Sequence, residues 1–243
     1  SGVIGQGDEI IISSENHLAN VTPWLKIARS VGASIKWWTV TGATTDGSKV
    51  DHHGHCGQSS CILSDLVTGR TKVVAVSHVS NILGLERDIS STCDYIHRMT
   101  KGKGQVVVDG VAAAPHLLKS DATSTEQIPD WYVVSLHKLF GPHLGCLVCK
   151  RSVAQMLHPG GNGTVCGAEP TAVAALLPDA ILARSWELGT MNYEACCGAT
   201  ALYNYFVTIG SKASELFGKT GIECVGDELG MTYSSQPTNQ ITS

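Results

Sequence analysis

Five short runs rich in branched and aromatic residues recur along the first 135 positions, and they limit the fold more than any other feature. They are EIIIS at Glu9–Ser13, SIKWWTV at Ser34–Val40, KVVAVS at Lys72–Ser77, QVVVD at Gln105–Asp109 and WYVVS at Trp131–Ser135. Several are continuously apolar instead of alternating, so strands built from them need cover on both faces. Segments with helical spacing lie between them, one over Leu18 to Val31 and another over Asp88 to Met99. Strand–helix–strand alternation predicts an α/β fold, a three-layer α/β/α sandwich around a mostly parallel sheet. GCLVCK at Gly145–Lys150 follows WYVVS too closely for a crossover helix and is expected to return as one antiparallel strand. A last helix is predicted from Tyr193 to about Ile209.

The chain has 243 residues, 43% of them hydrophobic and 16% charged, which is the balance of a globular chain with a substantial core. A net charge of −4 without a long basic run argues against nucleic acid or an anionic membrane as partner. No stretch approaches the roughly 18 to 20 apolar residues of a membrane span. The nine cysteines form no repeating framework, a usage that fits reduced thiols in the cytoplasm better than a disulfide scaffold. Residues 1–222 read as one domain. Residues 223–243 turn polar and aperiodic, as a tail or the start of a further C-terminal domain would. The opening Ser1-Gly2-Val3 is neither a start methionine nor a leader and fits a chain cut from a longer one.

In open parallel sheets ligands bind beyond the carboxyl ends of the strands, so polar residues there are read for function first. His17 follows the first run, and His78 and Asn81 follow KVVAVS. QVVVD ends on Asp109; WYVVS ends on Ser135 and leads at once to His137 and Lys138. A lysine able to form a Schiff base, together with an acid able to pair with a pyridinium nitrogen, is the equipment for pyridoxal 5′-phosphate chemistry. Partial burial of Lys138 would favour its neutral, nucleophilic form. Taken singly, a strand-end Asp is usually a turn cap and a lone Lys is usually solvated. Joint placement on four strands favours one site over four accidents.

At these residues the chain resembles the class V aminotransferase family of pyridoxal-phosphate enzymes, and within it the cysteine desulfurase-like members. NHLANVTPW at Asn16–Trp24 is similar to the segment whose histidine stacks on the cofactor ring, here His17. VAVSHVSNILG at Val74–Gly84 resembles the segment whose asparagine, here Asn81, meets the ring hydroxyl. VVVDGVAAAPH at Val106–His116 resembles the stretch with the pyridinium partner, here Asp109. SLHKLFGP carries the matching Schiff-base lysine, Lys138, with Ser135 and His137 on the phosphate. WELGTMN at Trp186–Asn192 resembles the segment whose threonine, here Thr190, reaches the phosphate of a partner subunit.

The resemblance implies a pyridoxal-phosphate-transferase-like fold, a homodimer, and a small amino acid as substrate. It implies Lys138 and His17 as catalytic residues and C–S cleavage of cysteine as the leading reaction, with transamination or epimerisation as alternatives. It also implies a phosphate-binding loop upstream and a small domain downstream that these 243 residues do not include, which leaves a catalytically silent scaffold as a further alternative. Ala112 stands where many relatives carry a polar residue that touches the ring, and Met191 replaces a proline.

Two stretches compete. DHHGHCGQSSC at Asp51–Cys61 holds three His and two Cys that could form a zinc module, although the spacing lacks the usual paired C-x2-C or H-x3-H form. No metal is therefore expected. Cys146 and Cys149 have C-x2-C spacing, yet on a strand they point to opposite faces, and both are expected to be small core residues. Cys166, in a glycine-rich stretch, is the most plausible exposed thiol, with nothing adjacent to activate it.

Overall fold

The computed structural model describes residues 4–39, 63–117, 129–156 and 190–217. The zinc-module stretch Asp51–Cys61, Cys166 and the tail 223–243 lie outside the described residues. The five apolar runs and GCLVCK form one six-stranded sheet: β1 (Glu9–Ser13), β2 (Ser34–Trp38), β3 (Thr71–Ser77), β4 (Gln105–Asp109), β5 (Trp131–Ser135) and β6 (Gly145–Cys149). Their order across the sheet is β2-β1-β3-β4-β5-β6. Every neighbouring pair is parallel except β5 with β6, where Trp131 faces Cys149 and Ser135 faces Gly145 in an antiparallel ladder.

Helices α1 (Thr22–Val31), α2 (Leu63–Leu66), α3 (Ile89–Thr100), α4 (Ala114–Leu117), α5 (Arg151–Met156) and α6 (Tyr193–Phe217) complete the described elements. Successive strand side chains point to opposite faces, and the packing follows that alternation. Ile10, Ile12 and Val73 pack with Val21 and Ala28 of the α1 layer. Ile11, Val74, Val76, Val106 and Val108 pack on the other side with Leu63 of α2 and Ile89, Cys93 and Ile96 of α3. Sheet between two helical layers is the expected α/β/α sandwich.

Local signals set the helix ends. α1 opens with Pro23 in its first turn and closes at Gly32, whose φ of 74° is the left-handed cap that glycine accepts without strain. The segment expected as one helix from Leu18 is divided: a 3₁₀ turn over Leu18–Asn20 precedes α1, because His17 caps the turn and not the longer helix. In α3 the Asp88 side chain accepts from the Ser91 N–H at 3.0 Å, placing the cap at the first residue of the predicted span. The last helix runs eight residues beyond its predicted end, to Phe217.

One core expectation is corrected. Cys146 is exposed and Cys149 only half-buried, because among the described residues β6 is the last strand of the sheet and its residues lie largely open. Burial does push the Cys149 thiol up, and it pushes that of Cys93, inside the α3 layer, up to about 12. Neither is an activated nucleophile.

Candidate active site

The strand order reverses direction beside β1, since β2 lies on one side of it and β3 on the other. A crevice opens at such a switch point beyond the carboxyl ends of the strands. Strand registers bring four exits together there: Ile12 of β1 pairs with Ala75 of β3, Ser77 of β3 with Asp109 of β4, and Asp109 with Val133 of β5. His17, Asn81, Asp109 and the Ser135–Lys138 turn therefore leave neighbouring strands at one edge.

The exit of β1 is fixed by polar side chains that sequence reasoning did not single out. Asn16 is buried; its amide donates to the Ala75 carbonyl at 2.9 Å, and its oxygen accepts from the Ser77 hydroxyl at 3.0 Å. One side chain thus ties the turn after β1 to the carboxyl end of β3, across the switch point. Next to it the exposed His17 accepts the Ala19 N–H on Nδ1 at 3.2 Å. That bond leaves Nε2 as the end of the neutral ring that carries the proton. Beneath the turn, the buried Arg87 and Glu15 form an ion pair shared with the Ser13 hydroxyl, and the Arg87 guanidinium lies 3.9 Å from the Trp38 ring centroid. A buried Glu and a buried Arg on separate loops, each set among polar sequence neighbours (SSENH and LERDI), leave no trace in the sequence pattern.

Asp109 sits half-buried at the end of β4. Its Oδ1 accepts the Val111 N–H at 2.9 Å, its backbone carbonyl accepts from the His78 N–H at 2.9 Å, and among the described residues nothing donates to Oδ2. The neighbouring Gly110 has no room for a side chain, because a Cβ there would overlap the Tyr132 ring. Tyr132 in turn shares a 2.9 Å hydrogen bond with His78 Nδ1, and the two rings meet edge to face. Burial, and then the nearby Asp109 carboxylate, push the Tyr132 phenol up to about 12, so it stays protonated.

After β5 the chain makes a 3₁₀ turn, Leu136–Leu139, that turns Leu139 inward and leaves His137 and Lys138 exposed. The partial burial expected of Lys138 is therefore not what the structure shows: a tight turn with i to i+3 spacing buries one side chain in three. Ser135 is half-buried at the end of β5, and Asn81 is exposed in the turn after β3. Thr190 is exposed ahead of α6, whose cap Asn192 accepts the Ala195 N–H at 3.0 Å. None of the hydrogen bonds or ion pairs among the described residues joins Thr190 to the other candidates, and those residues hold no group of three potential metal ligands.

The aminotransferase class-V family model matches residues 1–220. A cysteine desulfurase of Cronobacter sakazakii is 31% identical over 227 residues, covering 92% of this chain and 50% of the relative. The aminotransferase-like protein FGM3 of Gibberella zeae is 31% identical over 201 residues, covering 82% of this chain and 43% of the relative. The crystal structure of the cysteine desulfurase CsdA from Escherichia coli superposes with a TM-score of 0.61 at 24% identity, over 89% of this chain and 52% of that one. The chain thus spans about half the length, or less, of these relatives. With the sheet order, the strand exits and a family model that covers most of its length in agreement, the chain belongs to the class V aminotransferase family.

Proposed function

We propose that this chain forms the cofactor-binding part of a pyridoxal-phosphate-dependent enzyme that cleaves the C–S bond of cysteine. The observation that carries the reading is the exit of His17, Asn81, Asp109 and the Ser135–Lys138 turn from four neighbouring parallel strands at one sheet edge. A relative named cysteine desulfurase, aligned over most of the chain, supports the choice of reaction.

The residues fit the cofactor. The Oδ2 of Asp109, which receives no donor from the described residues, is an acceptor for a pyridinium N–H, and the Val111 N–H holds the other oxygen in place. Bound there, pyridoxal phosphate supplies an electron sink for the bonds of the substrate α carbon. Lys138 would hold the cofactor through Nζ and would move the proton at the substrate α carbon. His17, whose Nδ1 accepts the Ala19 N–H, would stack on the ring and offer Nε2 for proton transfer. Asn81 would meet the ring hydroxyl, and Ser135 and His137 would donate to the phosphate. Thr190 from a second copy would complete the phosphate contacts, which makes a homodimer the proposed working form.

Titration of the purified chain with pyridoxal phosphate tests the reading. A new, saturable visible absorption band that vanishes in Lys138→Ala is the expected result. Absence of the band from the wild-type chain, or its persistence in Lys138→Ala, sinks the reading; release of alanine from cysteine, with the sulfur liberated as sulfide by an added thiol reductant, then checks the reaction.

A further inference from the structure

His143 is a residue to which neither the resemblance nor the strand-exit argument gives a part. Its ring lies face to face with that of His137, with centroids 4.1 Å apart and planes within 17°. Both side chains are exposed, so core packing does not force the rings together. Backbone closure does. The Gly141 N–H donates to the Leu136 carbonyl at 2.8 Å, Leu136 N–H donates to the Leu144 carbonyl at 2.9 Å, and Leu144 N–H donates to the Pro142 carbonyl at 2.8 Å. Phe140, at φ 61°, takes the left-handed step that reverses the chain. A Cβ on Gly141 would come within 2.8 Å of the Leu202 side chain in α6 and 3.0 Å of the Leu136 carbonyl, so the reversal is packed tightly from two sides. Residues 137 and 143 are thereby delivered to the same place from the two ends of one closed turn.

Stacking uses the face of an imidazole and leaves its nitrogens at the edge, free for in-plane hydrogen bonds. An exposed histidine otherwise rotates about both side-chain torsions and loses that freedom each time it binds an anion. We propose that His143 is a positioning residue: by stacking on His137 it holds that imidazole edge-on to the phosphate of pyridoxal phosphate. The inference rests on the cofactor assignment above and adds to it the element that orients the phosphate donor. His143 acts through the ring face and makes no phosphate contact of its own.

The test compares pyridoxal phosphate with pyridoxal, which lacks the phosphate, in absorbance titrations of the full chain. His143→Ala should weaken pyridoxal phosphate roughly two- to ten-fold, the range expected for loss of one aromatic stack, and leave pyridoxal unchanged. His143→Phe keeps a stacking face without a titratable nitrogen and should restore the wild-type affinity. In a His137→Ala background, His143→Ala should add nothing, as expected of a residue that works only through its neighbour. Equal weakening of both ligands by His143→Ala would mean a general loss of local structure and overturn the proposal. A Phe variant as weak as the Ala variant would mean a direct phosphate contact and overturn it too. If the wild-type chain binds and His143→Ala binds equally well, the role of His143 falls while the cofactor assignment stands. If the wild type shows no saturable band, both fall.

Discussion

The two ends of the sheet carry charge in opposite ways. At the amino end, Glu9 is 2% exposed and accepts from Lys36 at 2.8 Å, Arg70 at 2.9 Å and Thr68 at 2.7 Å. Asp130, before β5, accepts from His97 at 2.7 Å and from the Val106 N–H at 2.8 Å, with Lys150 at 3.4 Å. Both carboxylates have partners from other elements, and what is joined is the start of the strands. At the carboxyl end His17, Asn81, His137 and Lys138 are exposed, and none of the hydrogen bonds or ion pairs described joins any two of them. Paired and buried charge holds a fold together; open polar groups on adjacent strand exits wait for something else to bind. The contrast predicts that substitutions at the amino end cost stability and those at the carboxyl end cost ligand binding.

The pair that breaks this division should give the largest effect. Arg87 and Glu15 are buried at the carboxyl end, at 4% and 6% exposure, and Arg87 Nη1 and Trp38 Nε1 find no partner among the described residues. Removing one partner leaves the other charge buried and uncompensated, so Arg87→Ala should lose about 3–5 kcal/mol in urea unfolding. The double change Arg87→Met with Glu15→Leu should recover much of that loss. A loss as small as that of a surface substitution would show that the turn carrying His17 does not rest on this pair.

Next comes Gly110→Ala. The added methyl would overlap the Tyr132 ring, whose hydroxyl is already tied to His78, so neither ring can move without breaking a hydrogen bond. Overpacking of this kind should cost up to about 3 kcal/mol and shift Asp109 along with it. Near-native stability in Gly110→Ala, read from the urea midpoint, would mean that Tyr132 has another place to go.

The amino end offers a pH test. Burial alone would raise both carboxyls, yet hydrogen bonds from Lys36, Thr68 and Arg70 hold Glu9 below its ordinary value, and those from His97 and Val106 do the same for Asp130. A carboxyl that titrates lower folded than unfolded makes the unfolded chain bind more protons. The stabilisation is therefore complete above the ordinary carboxylate range of about 4 and is lost as pH falls through the lowered folded values. Asp130→Asn should cost about 1.5 kcal/mol at neutral pH and should flatten the acid limb of the stability curve. An unchanged acid limb would place the acid-sensitive groups elsewhere.

The strands were legible because continuous apolar runs have few alternatives: β1, β4 and β5 fall on the residues the sequence marks. The antiparallel return of β6 was legible from the short Gly141-Pro142 connection. Burial on that strand was not, because the pattern GCLVC does not say whether another strand follows it. The division of the first helix at Val21 was missed, since a histidine cap resembles any other polar residue before a helix. At the site, the strand-end rule found the residues nearest the edge. It missed what supports them, Asn16, Arg87, Glu15 and His143, because hydrogen bonds between residues about 60 apart and stacking across a closed turn follow no sequence period.

The smallest effect on stability should come from the residue with the largest part in the proposed chemistry. Lys138 is exposed, lies outside the ladders of β5 and β6, and makes no ion pair among the described residues. Its removal leaves no buried group unsatisfied, so Lys138→Ala should unfold within about 0.5 kcal/mol of the wild type. That near-neutrality is what separates the two ends of the sheet. At Asp130 the side chain is held by three partners that would be left facing one another, whereas at Lys138 water replaces the ammonium group at little cost. A loss above about 2 kcal/mol, well outside the usual range for a surface change, would mean that the lysine is part of the frame, and the contrast between the ends would not hold.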